Sequence, residues 1–364
     1  VESAGLCLLI RGHTDMHIQA RRIFRLSLTT ALALAVAYAL AVPLPFLAPL
    51  FAIMLVAKPA PPPGLKGLFG VVLLLLLTLG VGLLLIPLLQ HYPVAAVIIV
   101  ALGLYFSSYL TVNLGKGLVG ALLTVGITMI SAAGTVDYAL ATTVIQALVL
   151  GLVISIVCSW VVYPWFPEDA AGAQPPAPAT SSEEQSTWIA LRAALIVLPV
   201  YFLTLTNPLL YMPTLMKSVS LGQQGSLVDA RSAGRELLGS TFLAGCFAAL
   251  FWGLLGISTN LWMFFGWMLL FGVYFASKLY GLIRTRYPAS FWLNVATTML
   301  ILLGPAVEDS ASGKDVYMAF AVRMGLFVAV TFYAWLAVYV LEQLRTRRIR
   351  RLAALSQKLE TPAC

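Results

Sequence analysis

Charge is scarce in this chain. Of 364 residues, 10% are Asp, Glu, Lys or Arg, while 60% are apolar. A soluble domain carries about 25% charged residues, so a chain of this composition cannot cover a water-facing surface of its size. The four cysteines (Cys7, Cys158, Cys246, Cys364) have no short pair spacing, and His13, His17 and His91 make no metal constellation. A disulfide framework and a zinc site are therefore excluded, and no metal or cofactor is expected. There is no phosphate-binding glycine loop, no His/Asp cluster and no serine-centred nucleophile motif, so we expect no enzyme. Alternating ten-residue strands, the signature of an outer-membrane barrel, are missing as well.

What the chain has instead is long apolar runs, such as Leu73–Leu89 and Leu140–Val162. A helix of roughly 20 residues spans the hydrocarbon core and satisfies its backbone polar groups internally. The composition predicts an all-α polytopic membrane protein. Spans are expected near 23–42, 46–57, 67–88, 94–112, 118–134 and 139–164, then 188–206, 208–221, 236–255, 260–280, 288–305 and 316–342. The second and eighth are short and marked by Pro43, Pro45 and Pro49, and by Pro208 and Pro213. Half-helices or re-entrant hairpins would read the same way.

Cations follow the positive-inside pattern. Arg21, Arg22, Arg25, Lys58, Lys66, Lys116 and the cluster Arg345–Arg351 fall on one side. The opposite loops carry His91, Asp137, Glu308, Asp309, Lys314 and Asp315. Both termini are expected in the cytoplasm of a bacterial inner membrane. The net charge of +8 is then a topology signal, not a nucleic-acid patch. Residues 1–15 are polar and unlike a secretory signal; they read as an upstream extension before Met16.

Two halves resemble each other. GLYFSSYL at 103–110 matches GVYFASKL at 272–279, Lys66–Gly70 lies opposite Arg235–Gly239, and VGITM at 125–129 parallels VATTM at 295–299. The matches keep an offset of about 169–170 residues. The expected organisation is an extension (1–21), a first six-helix repeat (22–165), a flexible Pro/Ala/Ser/Glu linker (166–186), a second repeat (187–343) and a basic tail (344–364). Six spans per half make the repeats parallel, as in transporters with an axis along the membrane normal.

The stretch RRIFRLSLTTALALAVAYALAVPLPFLAPLFAIMLVAKP, with arginines before the first span and a proline-broken hairpin after it, resembles the fusaric acid resistance or aromatic acid exporter family. Lys66 before Gly70, and LVDARSAGRELLGS in the second half, repeat that likeness. It covers nearly all of residues 20–345, through loose and mostly hydrophobic motifs. The cytoplasmic domain that larger family members insert between the halves is here reduced to the linker. The resemblance implies proton-driven efflux of aromatic or other small organic acids, with a periplasmic membrane-fusion adaptor and an outer-membrane channel as partners. A homo-oligomer is compatible with it. A rival likeness, to major facilitator drug/H⁺ antiporters, rests on Asp229-Ala-Arg231-Ser-Ala-Gly234-Arg235, but Lys58–Lys66 in the first half lacks the acid.

An ionisable group inside the bilayer is a functional candidate by default. Arg323, eight residues past Asp315 in an apolar helix, is the leading anchor for a substrate carboxylate; an ion pair with Glu308 or Asp309 is the structural alternative. Lys217, beside the proline-broken eighth span, is placed to meet an anion or to change protonation, or else to snorkel. Lys278 replaces Tyr109 between the repeats and fits substrate entry. Arg192 and Arg25 read as interfacial anchors or as lining of a cytoplasmic mouth. Tyr105 with Phe106 and Tyr274 with Phe275 would flank an aromatic ligand at the pseudo-twofold axis. Asp229, Arg231, Arg235 and Glu236 form an acidic-basic cluster suited to gating or coupling, with Asp229 as a helix cap. No acid is expected deep in any span, so the usual carboxylate proton relay is missing and a channel-like anion conduit remains an alternative.

Overall fold

In the computed structural model the backbone is described for residues 2–58, 60–168, 183–225, 230–313 and 315–360. Side chains are described for 18–58, 60–168, 187–222, 236–313, 315–347 and 350. These residues form twelve helices and no strand. They are α1 (Glu2–Ala39), α2 (Leu47–Val56), α3 (Leu65–His91), α4 (Pro93–Asn113), α5 (Gly117–Val136) and α6 (Tyr138–Val162). The second six are α7 (Glu183–Thr206), α8 (Pro208–Gly225), α9 (Ala230–Leu255), α10 (Leu261–Leu279), α11 (Ala289–Ala311) and α12 (Val316–Glu360).

Ten of the twelve are long and apolar enough to cross a membrane. The chain is a polytopic helical membrane protein. The two exceptions are the proline-marked segments. Helix α2 has 10 residues, about 15 Å at 1.5 Å per residue, half of a hydrocarbon core. In α8, Lys217 and the late serines and glutamines dilute the apolar run. Twelve expected crossings thus resolve into ten long helices and two shorter ones.

Other boundaries move. Helix α1 begins at Glu2, so the backbone of the expected extension continues into the first span, and α12 carries the expected tail as helix to Glu360. Helix α11 runs through Pro305 to Ala311 instead of ending at 305. A proline gives up one backbone bond, and packing against neighbours sustains the helix beyond it. Of the linker, residues 169–182 lie outside the described residues, and 183–186 belong to α7.

The two most extensive contacts between the halves are reciprocal: α1 packs along α10, and α4 packs along α7. The same partners recur within each half. α2 packs on α6 as α8 packs on α12, and α3 on α5 as α9 on α11. Glycine permits the closest approaches. Gly272 of α10 meets α1 so tightly that an added Cβ would lie 3.2 Å from Ser27 Cα. At the α3–α5 crossing a Cβ on Gly82 would strike the carbonyl oxygen of Gly126, and one on Gly126 the carbonyl of Thr78. Gly126 opens a π-helical turn, Gly126–Ile130, within α5. Such turns concentrate at functional sites.

Overpacking a tight core costs about 1–3 kcal/mol. Gly82→Val and Gly126→Val should each lower the thermal unfolding midpoint of the detergent-purified protein by several degrees. Gly80→Ala, which meets nothing within 4 Å, should leave it unchanged. Equal midpoints for all three would show that the crossing is not close-packed.

Candidate functional site

Four features stand out: one where the two halves meet, one inside the second half, and one at each end of the bundle. The first is a small, partly open cavity at the α1–α10 contact. Its walls are apolar and aromatic: Phe275 and Trp292 stand on one side, Gly272 and Ala296 leave room, and Ser27 and Thr30 are its hydroxyls. Each hydroxyl donates to its own helix, Ser27 to the carbonyl of Ile23 and Thr30 to that of Leu26, both at 2.7 Å. Their oxygens therefore face a ligand as acceptors, which suits an apolar molecule that carries an O–H or N–H.

The second is the amine of Lys217, which is fully buried. It donates to Asn294 Oδ1 at 3.0 Å and to Thr298 Oγ1 at 2.7 Å. Asn294 Nδ2 in turn donates to Ser240 Oγ. Helices α8, α9 and α11 thus meet around an amine whose hydrogen-bond partners among the described residues are neutral. Asn294 and Thr298 lie on the face of α11 away from the cavity.

The third is a cationic cluster at the end of the bundle from which α1 enters. Arg22 Nε donates to Glu168 Oε1 at 2.7 Å, and Arg25 Nη2 lies 2.8 Å from Glu168 Oε2. Arg25 is 2% exposed and stands 5.9 Å from the Tyr163 ring centroid. Burial pushes the Glu168 carboxyl up, but the hydrogen bonds and charges of Arg22 and Arg25 outweigh it and hold the group below its ordinary value. The loop after α2 is pinned to the same end. Trp160 Nε1 donates to the Pro63 carbonyl at 2.6 Å, and the Tyr280 hydroxyl to that of Ala57 at 3.1 Å.

The fourth lies at the opposite end, where Arg323 Nη2 meets Asp309 Oδ2 at 2.5 Å. Continuation of α11 past Pro305 carries Asp309 into a buried position. Asp309 is buried but lies two residues from the end of α11, and it is paired. Arg323 is thereby occupied by a structural carboxylate and does not line the α1–α10 cavity.

The remaining candidates do not converge. Arg192 is buried and pairs with Glu342 at 3.8 Å. Lys278 Nζ sits over Tyr274 and Trp292, 5.9 and 5.7 Å from the ring centroids, and reaches the Arg284 carbonyl at 3.4 Å. Tyr274 packs on Phe247 and Trp292, while Phe275 turns into the cavity. Tyr105 stacks on Tyr109 in α4, and Phe106 is exposed. The two Tyr-Phe pairs thus serve different contacts and do not share one ligand. Glu236 accepts from Ser290 Oγ at 3.4 Å. Asp229 and the side chains of Arg231 and Arg235 lie outside the described residues, and with them the rival loop. Asp137 caps α6 by accepting from Ala139 N at 3.0 Å. Sequence reasoning missed the Asn294–Thr298–Ser240 cradle and the role of Glu168.

Fold and charge placement define a multi-pass membrane protein with buried cationic groups. Residues 22–162 are similar to a family described as "Protein of unknown function (DUF2955)". That match begins at the arginines of α1 and stops at the last residue of α6, so it spans the first six helices. No curated protein and no solved structure matches the chain.

Removing one member of a buried ion pair leaves the other uncompensated. Arg323→Ala and Asp309→Ala should each lower stability by about 1–3 kcal/mol, less than for a fully sealed pair. The double replacement Arg323→Leu/Asp309→Leu should recover most of the loss in the same melting assay. Additive losses in the double variant would mean the two side chains act separately.

The depressed Glu168 carboxyl fixes the sign of a pH effect. A group more acidic in the folded state stabilises it above the ordinary carboxylate range, and that contribution disappears as pH falls through the lowered value. Glu168→Gln should melt below the wild type by a constant margin at neutral pH, and the gap should close only under acid conditions. A gap that closes between pH 6 and 7 would contradict the pairing.

Proposed function

We propose that this protein is a transporter that moves small organic anions across the membrane. The observation that carries the proposal is Lys217. Its amine is fully buried in a bundle of membrane-length helices and rests on neutral oxygens alone among the described residues. An uncompensated charge inside a membrane-spanning bundle is costly, up to about 2.5–3.5 kcal/mol on insertion scales. A packing role is better served by leucine or methionine, whereas an anion passing beside the amine offsets the cost while it is there. The apolar, aromatic cavity at the α1–α10 contact supports a cargo with a hydrocarbon or aromatic body.

The likeness of residues 21–59 to aromatic acid exporters supports aromatic carboxylic acids as the cargo, efflux as the direction and the proton gradient as the drive. It also supports residence in a bacterial inner membrane with cytoplasmic termini, and coupling to a periplasmic adaptor and an outer-membrane channel. The parallel-repeat reading draws support from the reciprocal α1–α10 and α4–α7 packing. An enzymatic role has no comparable support.

The test is efflux of a panel of aromatic acids from preloaded vesicles containing the purified protein, with a proton gradient imposed. Lys217→Met should cut the initial rate at least tenfold, and Lys217→Arg should retain part of it. An uncoupler should abolish accumulation against the gradient. Wild-type rates in Lys217→Met would remove Lys217 from the path, and rates no faster than in protein-free vesicles would overturn transport of this class.

A further inference from the structure

We infer that the crevice where α1 enters the bundle is a binding site for a small carboxylate, with Arg25 as its cationic contact and Glu168 as the internal carboxylate held there until a ligand displaces it. The crevice is a partly open pocket between α1, the loop after α2 and the end of α6. Arg25, Ser159, Tyr163 and the run Pro61–Pro63 are among its lining residues.

The argument starts from the guanidinium. It carries five N–H donors in a planar fork, and a carboxylate is best held by two of them in parallel. Glu168 engages Arg25 through Nη2 and is shared with Arg22. Nε and Nη1 of Arg25 are buried and have no hydrogen-bond partner among the described residues. A donor buried in that state costs about 1–3 kcal/mol. Here the fork is inside, half used, and faces a crevice.

The surroundings select the ligand. Glu168 is a carboxylate on a short hydrocarbon stem and already pairs with this arginine, so the competing group has the same chemistry. The proline run and the Tyr163 ring offer flat apolar surface for the body attached to it. Glu168 is tethered to the end of α6 through Phe166, which stacks on Phe24 with ring centroids 5.8 Å apart, and Pro167, whose carbonyl accepts from Arg21 at 3.5 Å. It is therefore present at high effective concentration, and a ligand has to compete with it. Read this way, the crevice is the loading point of the transport path, and the inference rests on the transport reading for that role alone.

The experiment is equilibrium binding of radiolabelled benzoate to the full chain in nanodiscs of zwitterionic phosphatidylcholine, without any gradient. Glu168→Gln should tighten binding at least fivefold because it removes the competitor while keeping the shape. Arg25→Gln should weaken it at least tenfold, and Arg25→Lys, which keeps charge but not the fork, should fall between. The opposite directions separate the site from a structural clamp, since loss of a clamp lowers stability in both variants and tightens binding in neither. Unchanged affinity in Glu168→Gln, or wild-type affinity in Arg25→Gln, overturns the site. If Arg25→Gln does not fold, the Glu168→Gln and Arg25→Lys measurements still decide. Benzoate that binds as stated but is not moved in vesicles sinks the transport reading and leaves the site standing.

Discussion

Hydrocarbon offers no hydrogen-bond partners and little screening of charge, and most of the structure answers to that constraint. Backbone groups are closed within helices. Hydroxyls fold back onto their own helix, as Thr78 onto Leu74, Thr204 onto Val200 and Thr331 onto Phe327. Cations drawn into the bundle bring acids with them: Arg323 takes Asp309, Arg192 takes Glu342, and Arg22 with Arg25 takes Glu168. Lys217 differs in kind, because its partners among the described residues are an amide and a hydroxyl. A neutral cradle solvates an amine without cancelling its charge. That difference separates a group held in place from a group left responsive to what passes.

The same constraint governs how the halves meet. Helices in lipid gain little from apolar burial against one another, so close packing and small residues drive their association. Gly272 against Ser27 and Gly82 against Gly126 are such contacts. Where α1 meets α10, small residues stand beside Phe275 and Trp292, and the helices cannot close fully around the rings; a cavity is the geometric result. On the first-half side, α5 reaches across to the second half through Ser131, whose hydroxyl lies 2.9 Å from that of Tyr201. The fifth helix of each half thus carries a polar face. One makes that link between the halves and the other cradles Lys217.

Membrane class and helix number were legible in the sequence because they follow from apolar runs and breaks, which are local. Helix ends were less so. Pro305 reads as a stop, yet α11 continues to Ala311, because whether a proline ends a helix depends on neighbours that no local pattern contains. The consequence reached the site. With α11 ended early, Asp309 belonged to a loop, and its pairing with Arg323 stood only as the alternative to a substrate anchor. Asn294 and Thr298 were one step away from notice: they sit at the repeat offset from Thr124 and Thr128, beside the matched VGITM and VATTM segments. Their meaning required knowing that α8 packs on α11. Tyr105 and Tyr274 show the reverse failure. They correspond in sequence, but α4 and α10 pack on different partners, so equivalence did not bring them together.

Arg25 and Arg323 show what decides between a structural and a functional arginine in lipid. Both stand in apolar helices beside an acid, and by depth along the helix Arg323 is the stronger candidate. Depth measures the cost of the charge, whereas the partner determines how that cost is met. Asp309 belongs to a regular helix packed against α12, so its carboxylate is fixed relative to Arg323, and separating them means repacking two helices. Glu168 follows the end of α6, outside any helix, so in the proposed exchange it leaves Arg25 without separating two packed helices. The energy of the two pairs is comparable in kind, but the barrier to exchanging the acid is not. An arginine whose acid is exchangeable, and whose remaining N–H groups face a crevice, can trade an internal carboxylate for an external one at little net cost. Lys217 is the contrasting case: among the described residues its amine has no acid partner to trade, only a neutral cradle.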